Sequence, residues 1–464
     1  MNNVDFSRCK RIVELIWDPE PTNDRLQDTP IWCLGYCYDL SSPPKSAATP
    51  STNPPITDSV ATIDTAASEP SDVTIDAKSE KGQHDAPISS EKESSLQSST
   101  TSSFLSAPAY GGTGSDGGWP IAFLDDFESR IWMTYRSDFE LINKSDDPNA
   151  KSNFSFTMRI KTQLMDQEGF TSDSGWGCMI RTGQSLLANT MVITKMGRSW
   201  RRGVYDTTER NIISQFADDP RAPYSIHSFV EHGAKACGKY PGEWFGPSAT
   251  ARCIQELVNR NDSGFRVYST GDTADVYEDS FMQVAKPDGK QFAPTLVLVT
   301  TRLGIDKVTP VYWEALVATL QMPSSVGIAG GRPSSSHYFV GAQGMYLFYL
   351  DPHITQPALK YHDDVSEYST EEIATYHTRR LRKLHVKEMD PSMLIGFLIR
   401  DENEWRDWRA GLKHVQGRPV ISVFDTNPMN HMDALDNATY DVESMSEAEA
   451  DDLEESAEDL GREL

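Results

Sequence analysis

The stretch from Thr171 to Arg181, Thr-Ser-Asp-Ser-Gly-Trp-Gly-Cys-Met-Ile-Arg, sets one thiol between a glycine-hinged loop and an apolar run with helical spacing. Met179, Ile180, Leu186 and Leu187 continue that spacing, and Ser172, Asp173 and Ser174 supply capping-type side chains upstream. Cys178 therefore falls at a helix N-terminus, where unpaired N–H groups and the positive end of the dipole favour a thiolate. Gly175 and Gly177 allow a tight turn and a close approach of a substrate chain. The chemistry offered is nucleophilic attack on an acyl carbon. The competing reading is a buried structural cysteine.

A thiol nucleophile needs a base, and the base needs a group to orient it. Tyr346-Leu347-Phe348-Tyr349-Leu350 reads as a buried strand that runs into Asp351-Pro352-His353. Alternation along an extended chain puts Asp351 and His353 on one face, and Pro352 keeps Asp351 extended. Asp351 can then hold the His353 ring while His353 takes the thiol proton. His337, at the head of the preceding strand-like segment, is the rival base, with Asp351 again as its orienter. Chain order does not decide between the two histidines.

Three separated segments, around Cys178, from Gly330-Gly331-Arg332-Pro333 to Gly341, and from Leu350 to Pro357, resemble the autophagins in composition and order. These are cysteine proteases that cut a ubiquitin-like autophagy modifier after its C-terminal glycine. The resemblance extends to Pro30–Gly35, Trp132–Arg136 and Gly242–Pro247. It implies Cys178 as nucleophile, His353 as base and Asp351 as orienter, against His337. It further implies that the Tyr135 hydroxyl and the Cys178 N–H form the oxyanion hole. Trp244 and Pro333 would sandwich the substrate tail, with Gly330 and Gly331 as hinges. The expected reactions are maturation of the modifier precursor and its release from phosphatidylethanolamine, with no metal or cofactor and with membrane contact only through the lipidated substrate. The expected location is cytoplasmic, with recruitment to autophagosomal membranes.

Elements that could position these groups follow in order. Helical patterns cover 178–189 and 249–259. Strand patterns cover 265–268, 295–300, 338–341, 346–350, 394–399 and 419–424. A helix-borne cysteine facing a sheet-borne histidine is the papain-like α+β arrangement. Residues 41–118 are rich in Ser, Thr, Pro, Ala, Asp and Gly with few large hydrophobes, the composition of a disordered segment. Because this stretch separates two pieces that the family pattern joins, 1–40 and 119–426 are expected to form a single catalytic domain around an insertion. From 427 a second disordered segment is expected, in which the acids between Asp441 and Glu463 face one base, Arg462.

The net charge of −25 owes much to that tail and argues against a nucleic-acid partner, which needs a basic patch. Six scattered cysteines do not make a disulfide scaffold. No run approaches the about 20 apolar residues of a membrane span and no signal-type segment is evident, so a soluble protein in a reducing compartment is expected. Cys33 and Cys37 lack a second ligand pair for zinc, and Cys237 and Cys253 read as structural. Autophagins often carry an aromatic-x-x-aliphatic docking motif. Tyr440-Asp441-Val442-Glu443 departs from it, whereas Phe281-Met282-Gln283-Val284 fits both that motif and an amphipathic core element. Two further classes stay open: a transglutaminase-like acyl-transfer enzyme and a non-catalytic module that binds the modifier.

Overall fold

A computed structural model describes residues 20–23, 29–38, 117–147, 150, 168–203, 206–261, 263–332 and 335–429. The expected insertion and tail lie outside these residues, except for Gly117, Gly118 and 427–429. So do Pro333 and Tyr440-Asp441-Val442-Glu443.

The main sheet is built on Thr295–Arg302, Ser325–Arg332, Ser335–Gln343, Tyr346–Leu350 and Ser392–Ile399, of which the first and last are β-branched and aliphatic runs. They join Lys383–His385 and Arg266–Ser269 in one sheet. From edge to edge the order is 383–385, 346–350, 335–343, 325–332, 392–399, 295–302 and 266–269. All neighbours on this path are antiparallel apart from the last pair, Thr295–Arg302 with Arg266–Ser269. Ile31–Cys33 pairs with the 341–343 end of Ser335–Gln343 and with Tyr36–Tyr38.

Alternation divides the sheet's side chains between two cores. Leu296, Leu298, Val326, Tyr338, Val340, Leu394 and Leu398 face one, which contains the helix Cys178–Met196 and the helix Pro247–Arg260. Val297, Val299, Ile328, Phe339, Ile395 and Phe397 face the other, which contains the helices Trp313–Gln321 and Glu402–Lys413. Helices thus cover both faces of a mainly antiparallel sheet, and the antiparallel pairing places the fold in the α+β class. Phe281 belongs to this second core: it lies in the helix Glu278–Ala285, fully buried and stacked on Trp405 with ring centroids 4.0 Å apart. The 281–284 segment is a core element, and its aromatic is not available for docking.

Every residue from Cys178 to Ile193 is buried, so this helix is held from all sides rather than along one stripe. Two of its polar side chains bond the chain that enters the site. Asn189 accepts from the Ile131 N–H at 3.0 Å and donates to the Ile131 carbonyl at 2.9 Å, and Ser185 Oγ accepts from the Met133 N–H at 3.0 Å. The irregular segment before Tyr135 gains in this way the backbone partners that a strand would have supplied.

The two flanks of 39–116 meet. The Asn23 N–H donates to the Gly117 carbonyl at 2.8 Å, its amide to the Gly118 carbonyl at 3.2 Å, and Tyr38 packs edge-on against Phe123. The packed chain thus begins two residues inside the range expected for the insertion. Among the described residues no helix is long and apolar enough to cross a membrane.

Candidate active site

Cys178 is the first residue of its helix, with Gly177 as N-cap. The expected side-chain cap is absent. Asp173 instead uses its carbonyl to accept from the N–H groups of Trp176 and Gly177, and its carboxylate to accept from the Arg136 N–H at 2.7 Å and Arg181 Nε at 2.7 Å. The loop is tight enough to need both glycines. Gly175 has φ +92°, and a Cβ on Gly177 would collide with the Asp173 carboxylate. Arg181 then reaches Asp218 at 2.8 Å, and the three charges have almost no exposure. The loop before Cys178 is therefore clamped from beneath by a buried ion triad that the sequence patterns did not reveal.

Asp351 and His353 follow the strand Tyr346–Leu350 as expected. His353 Nδ1 lies 2.6 Å from Asp351 Oδ1, which also accepts from the His353 backbone N–H at 3.1 Å. The Trp132 indole N–H donates to the Asp351 carbonyl at 2.8 Å, and Arg382 Nε stands 4.0 Å from the other carboxylate oxygen. With Nδ1 engaged, Nε2 is left for the thiol, and the His353 ring, the Ser336 backbone N–H and the Tyr135 hydroxyl all favour the thiolate form of Cys178. Ser335 Oγ lies 3.1 Å from the same Nε2, a contact that sequence reasoning missed because nothing local marks that serine out.

Burial opposes charge on all three groups, and their mutual contacts overcome it. The Cys178 thiol is lowered from its usual value, first by the His353 hydrogen bond and then by the Ser336 N–H. His353 is pushed up to about 9 by its bonds to Asp351 and Cys178. Asp351 is held below the ordinary carboxylate range by His353 and by the nearby His337. An imidazolium–thiolate pair is the charge state these contacts favour.

His337 also lies here, 5% exposed, with Nε2 3.7 Å from Asp351 Oδ1 and its ring edge-on to Tyr349 at 4.5 Å. Asp351 is thus 2.6 Å from one histidine and 3.7 Å from the other. Hydrogen-bond length and contact with the sulfur both distinguish His353. Tyr135 is buried beside it. Its ring meets His353 edge-on at 5.3 Å, its N–H donates to the Pro352 carbonyl at 2.9 Å, and its carbonyl accepts from the Gln356 N–H at 2.9 Å. These two backbone bonds tie Tyr135 to the turn that carries His353.

Trp244 stands apart from the cores, 44% exposed on the segment before Pro247–Arg260. Gly330 and Gly331 do not act as loop hinges. Both are laddered in Ser325–Arg332, opposite His337 and Ser336, and a Cβ on Gly331 would strike the Ser335 carbonyl. They are small because strands crowd there. Among the described residues, the only grouping of His, Cys, Asp or Glu atoms close enough for a metal ion is His337, Asp351 and His353, within 4.8 Å of one another. Asp351 Oδ1 is already the acceptor of the short His353 bond.

A helix-start thiol, an imidazole and a carboxylate in hydrogen-bonded sequence, on a papain-like frame, define a cysteine peptidase. The peptidase C54 catalytic domain matches residues 120–411, and the chain belongs to that family. It is 58% identical over 440 residues to "Probable cysteine protease ATG4" of Cryphonectria parasitica, covering 93% of this chain and 92% of that protein. Against "Cysteine protease ATG4" of Pyricularia oryzae the identity is 55% over 471 residues, with 95% and 96% covered. Against "Cysteine protease 1" of Neurospora crassa it is 57% over 434 residues, with 90% and 86% covered.

Proposed function

We propose that this peptidase cleaves after the C-terminal glycine of a ubiquitin-like autophagy modifier, both to mature its precursor and to free it from phosphatidylethanolamine. The observation that carries the reading is the chain from Asp351 through His353 to Cys178, with a 2.6 Å bond at its first link. The thiolate attacks the glycine carbonyl, and the oxyanion that develops is held by the Cys178 N–H and the Tyr135 hydroxyl. His353 protonates the departing amine from Nε2. It then takes a proton from the water that hydrolyses the thioester. Asp351 holds the ring and offsets the imidazolium charge throughout.

A peptide amine and the amine of phosphatidylethanolamine are equivalent leaving groups on one acyl carbon, which is why a single site serves both reactions. The exposed indole of Trp244 suits it to lie along the extended tail, and we assign Pro333 as its partner in holding that tail. The lipidated substrate brings the enzyme to autophagosomal membranes, and the enzyme is otherwise cytoplasmic. We assign 1–40 and 119–426 to one catalytic domain, 41–118 to an insertion, and 427–464 to a tail. Incubation with a precursor bearing residues beyond the glycine, and separately with its phosphatidylethanolamine conjugate on vesicles, tests the reading by mass. Release of both products ending in the same glycine is expected. An intact precursor after prolonged incubation would overturn the assignment, and incorporation of an added amine at that glycine in place of hydrolysis would favour acyl transfer.

A further inference from the structure

Cys237 and Cys253 read from the sequence as separate structural thiols, but the fold makes them neighbours. Cys237 closes the helix Ile226–Ala236, and Cys253 lies within Pro247–Arg260, which packs beside it. Cys237 Sγ is 4.0 Å from the Ala249 carbonyl, one turn before Cys253 on the same helix face. Cys253 Sγ is 3.6 Å from the Phe229 carbonyl on the first helix. Each sulfur faces the other's helix, and each thiol perturbs the ionisation of the other. Both are free, Cys253 buried and Cys237 half-exposed.

The chain between them turns through Pro241-Gly242-Glu243-Trp244-Phe245-Gly246. Phe245 is buried against Gly233 of the first helix, while Trp244 faces solvent. A covalent tie between the two cysteines would close a ring around that tryptophan. The second helix also lies on the nucleophile helix, where Thr250 and Ile254 contact the Gly183 position. Movement at the pair is thereby one helix away from Cys178.

We propose that Cys237 and Cys253 form a reversible disulfide when a hydroperoxide oxidises them, and that this bond fixes the segment carrying Trp244. The Cys237 thiolate attacks one oxygen of hydrogen peroxide and becomes a sulfenic acid. The hydroxide that leaves takes up the former thiol proton as water. The Cys253 sulfur then attacks the sulfenic sulfur to form the S–S bond, and the sulfenic hydroxyl departs with the Cys253 proton as a second water. Two electrons pass from the two thiols to one peroxide. The division of roles follows from position. The Cys253 thiol favours the Cys237 thiolate against partial burial, with Arg252 adding positive charge, and the same pairing together with burial keeps Cys253 protonated until it is needed.

The disulfide stands without the assigned reaction, and only its effect on turnover rests on that reading. Full-length Cys178→Ala protein is titrated with hydrogen peroxide and mapped by mass without reduction. A peptide pair joining 237 to 253, separated again by dithiothreitol, is expected. Cys237 left reduced, or oxidised to the sulfinic acid without a link, would overturn the proposal. In Cys253→Ala the sulfenic acid should accumulate at Cys237 and be trapped by dimedone, and absence of the adduct counts equally against it. For turnover, wild type and Cys237→Ser are compared in one series of glutathione redox buffers, so that oxidation of Cys178 is common to both. Wild type should fall several-fold below the variant as the buffer becomes oxidising and recover on reduction. Equal curves would refute the restraint on the Trp244 segment even where mapping finds the bond.

Discussion

At Cys178 burial works against ionisation, and an imidazole, a peptide N–H and a phenol together bring the thiol below its usual value. Cys178→Ala should abolish cleavage and still bind the modifier, and Cys178→Ser should be nearly inactive. Turnover within about tenfold of wild type would remove the thiol from the mechanism. His353→Ala should cost roughly a thousandfold or more, since a triad without its base retains only binding and the oxyanion hole. His337→Ala should lose far less, because His337 is 3.7 Å from Asp351 and is packed on Tyr349. The reverse ranking would make His337 the base. His353 rises from 6.5 to about 9 in the fold, so its contribution to stability is complete below 6.5 and fades as pH climbs through 9. The alkaline limb of the turnover profile should fall through that point, and thiol alkylation at neutral pH should slow markedly in His353→Ala. The proposed nucleophile, base and orienter stand out in the sequence because their mark is local: a cysteine after Gly-Trp-Gly, and an acid two residues before a histidine. Ser335, Trp132 and Asp173 carry no such local mark, and their roles come from partners that only the fold brings near.

Among the elements, the loop before the nucleophile helix depends most on distant support. Arg181 links Asp173 to Asp218 with almost no exposure, and breaking a buried pair of this kind costs about 3–5 kcal/mol because it strands a charge. Asp218→Asn should lower stability in denaturant melts by an amount of that order. At temperatures where it stays folded it should also slow thiol alkylation, which a purely distant defect would leave unchanged. Gly330→Pro should lose thermal stability before it alters substrate access, since Gly330 is paired with His337 and backed by Met393. A variant that melts like wild type and admits substrate slowly would restore the hinge. Aliphatic runs such as Thr295–Arg302 announced their strands, whereas Ser325–Arg332, with three glycines and few large side chains, has no alternating pattern to read. The acid at 173 was legible as a polar loop residue, but its turn away from the helix end depends on Arg136 and Arg181.

At the scale of the whole molecule, the contacts of Asn23 with Gly117 and Gly118 and of Tyr38 with Phe123 close the fold across residues 39–116. Deleting 41–116 behind a short Gly/Ser bridge, with Gly117 and Gly118 kept, should leave a folded enzyme that cleaves its substrate. A large drop in melting temperature would show that the deleted stretch packs. That expectation rests on composition, because a chain poor in apolar surface offsets little of its ordering entropy. The order of the main sheet was not legible, since it joins runs far apart in sequence. One of its inner strands, Ser392–Ile399, lies between Ser325–Arg332 and Thr295–Arg302 although it is made after both. During synthesis, then, the ribosome releases Cys178, Asp351 and His353 before the strand that completes their platform has emerged. The nascent chain should carry a thiol without a proteolytic site, unable to act on a modifier until residue 399 has left the exit tunnel. Arrested chains of increasing length, probed with a substrate-derived thiol trap, should switch from unreactive to reactive across that point.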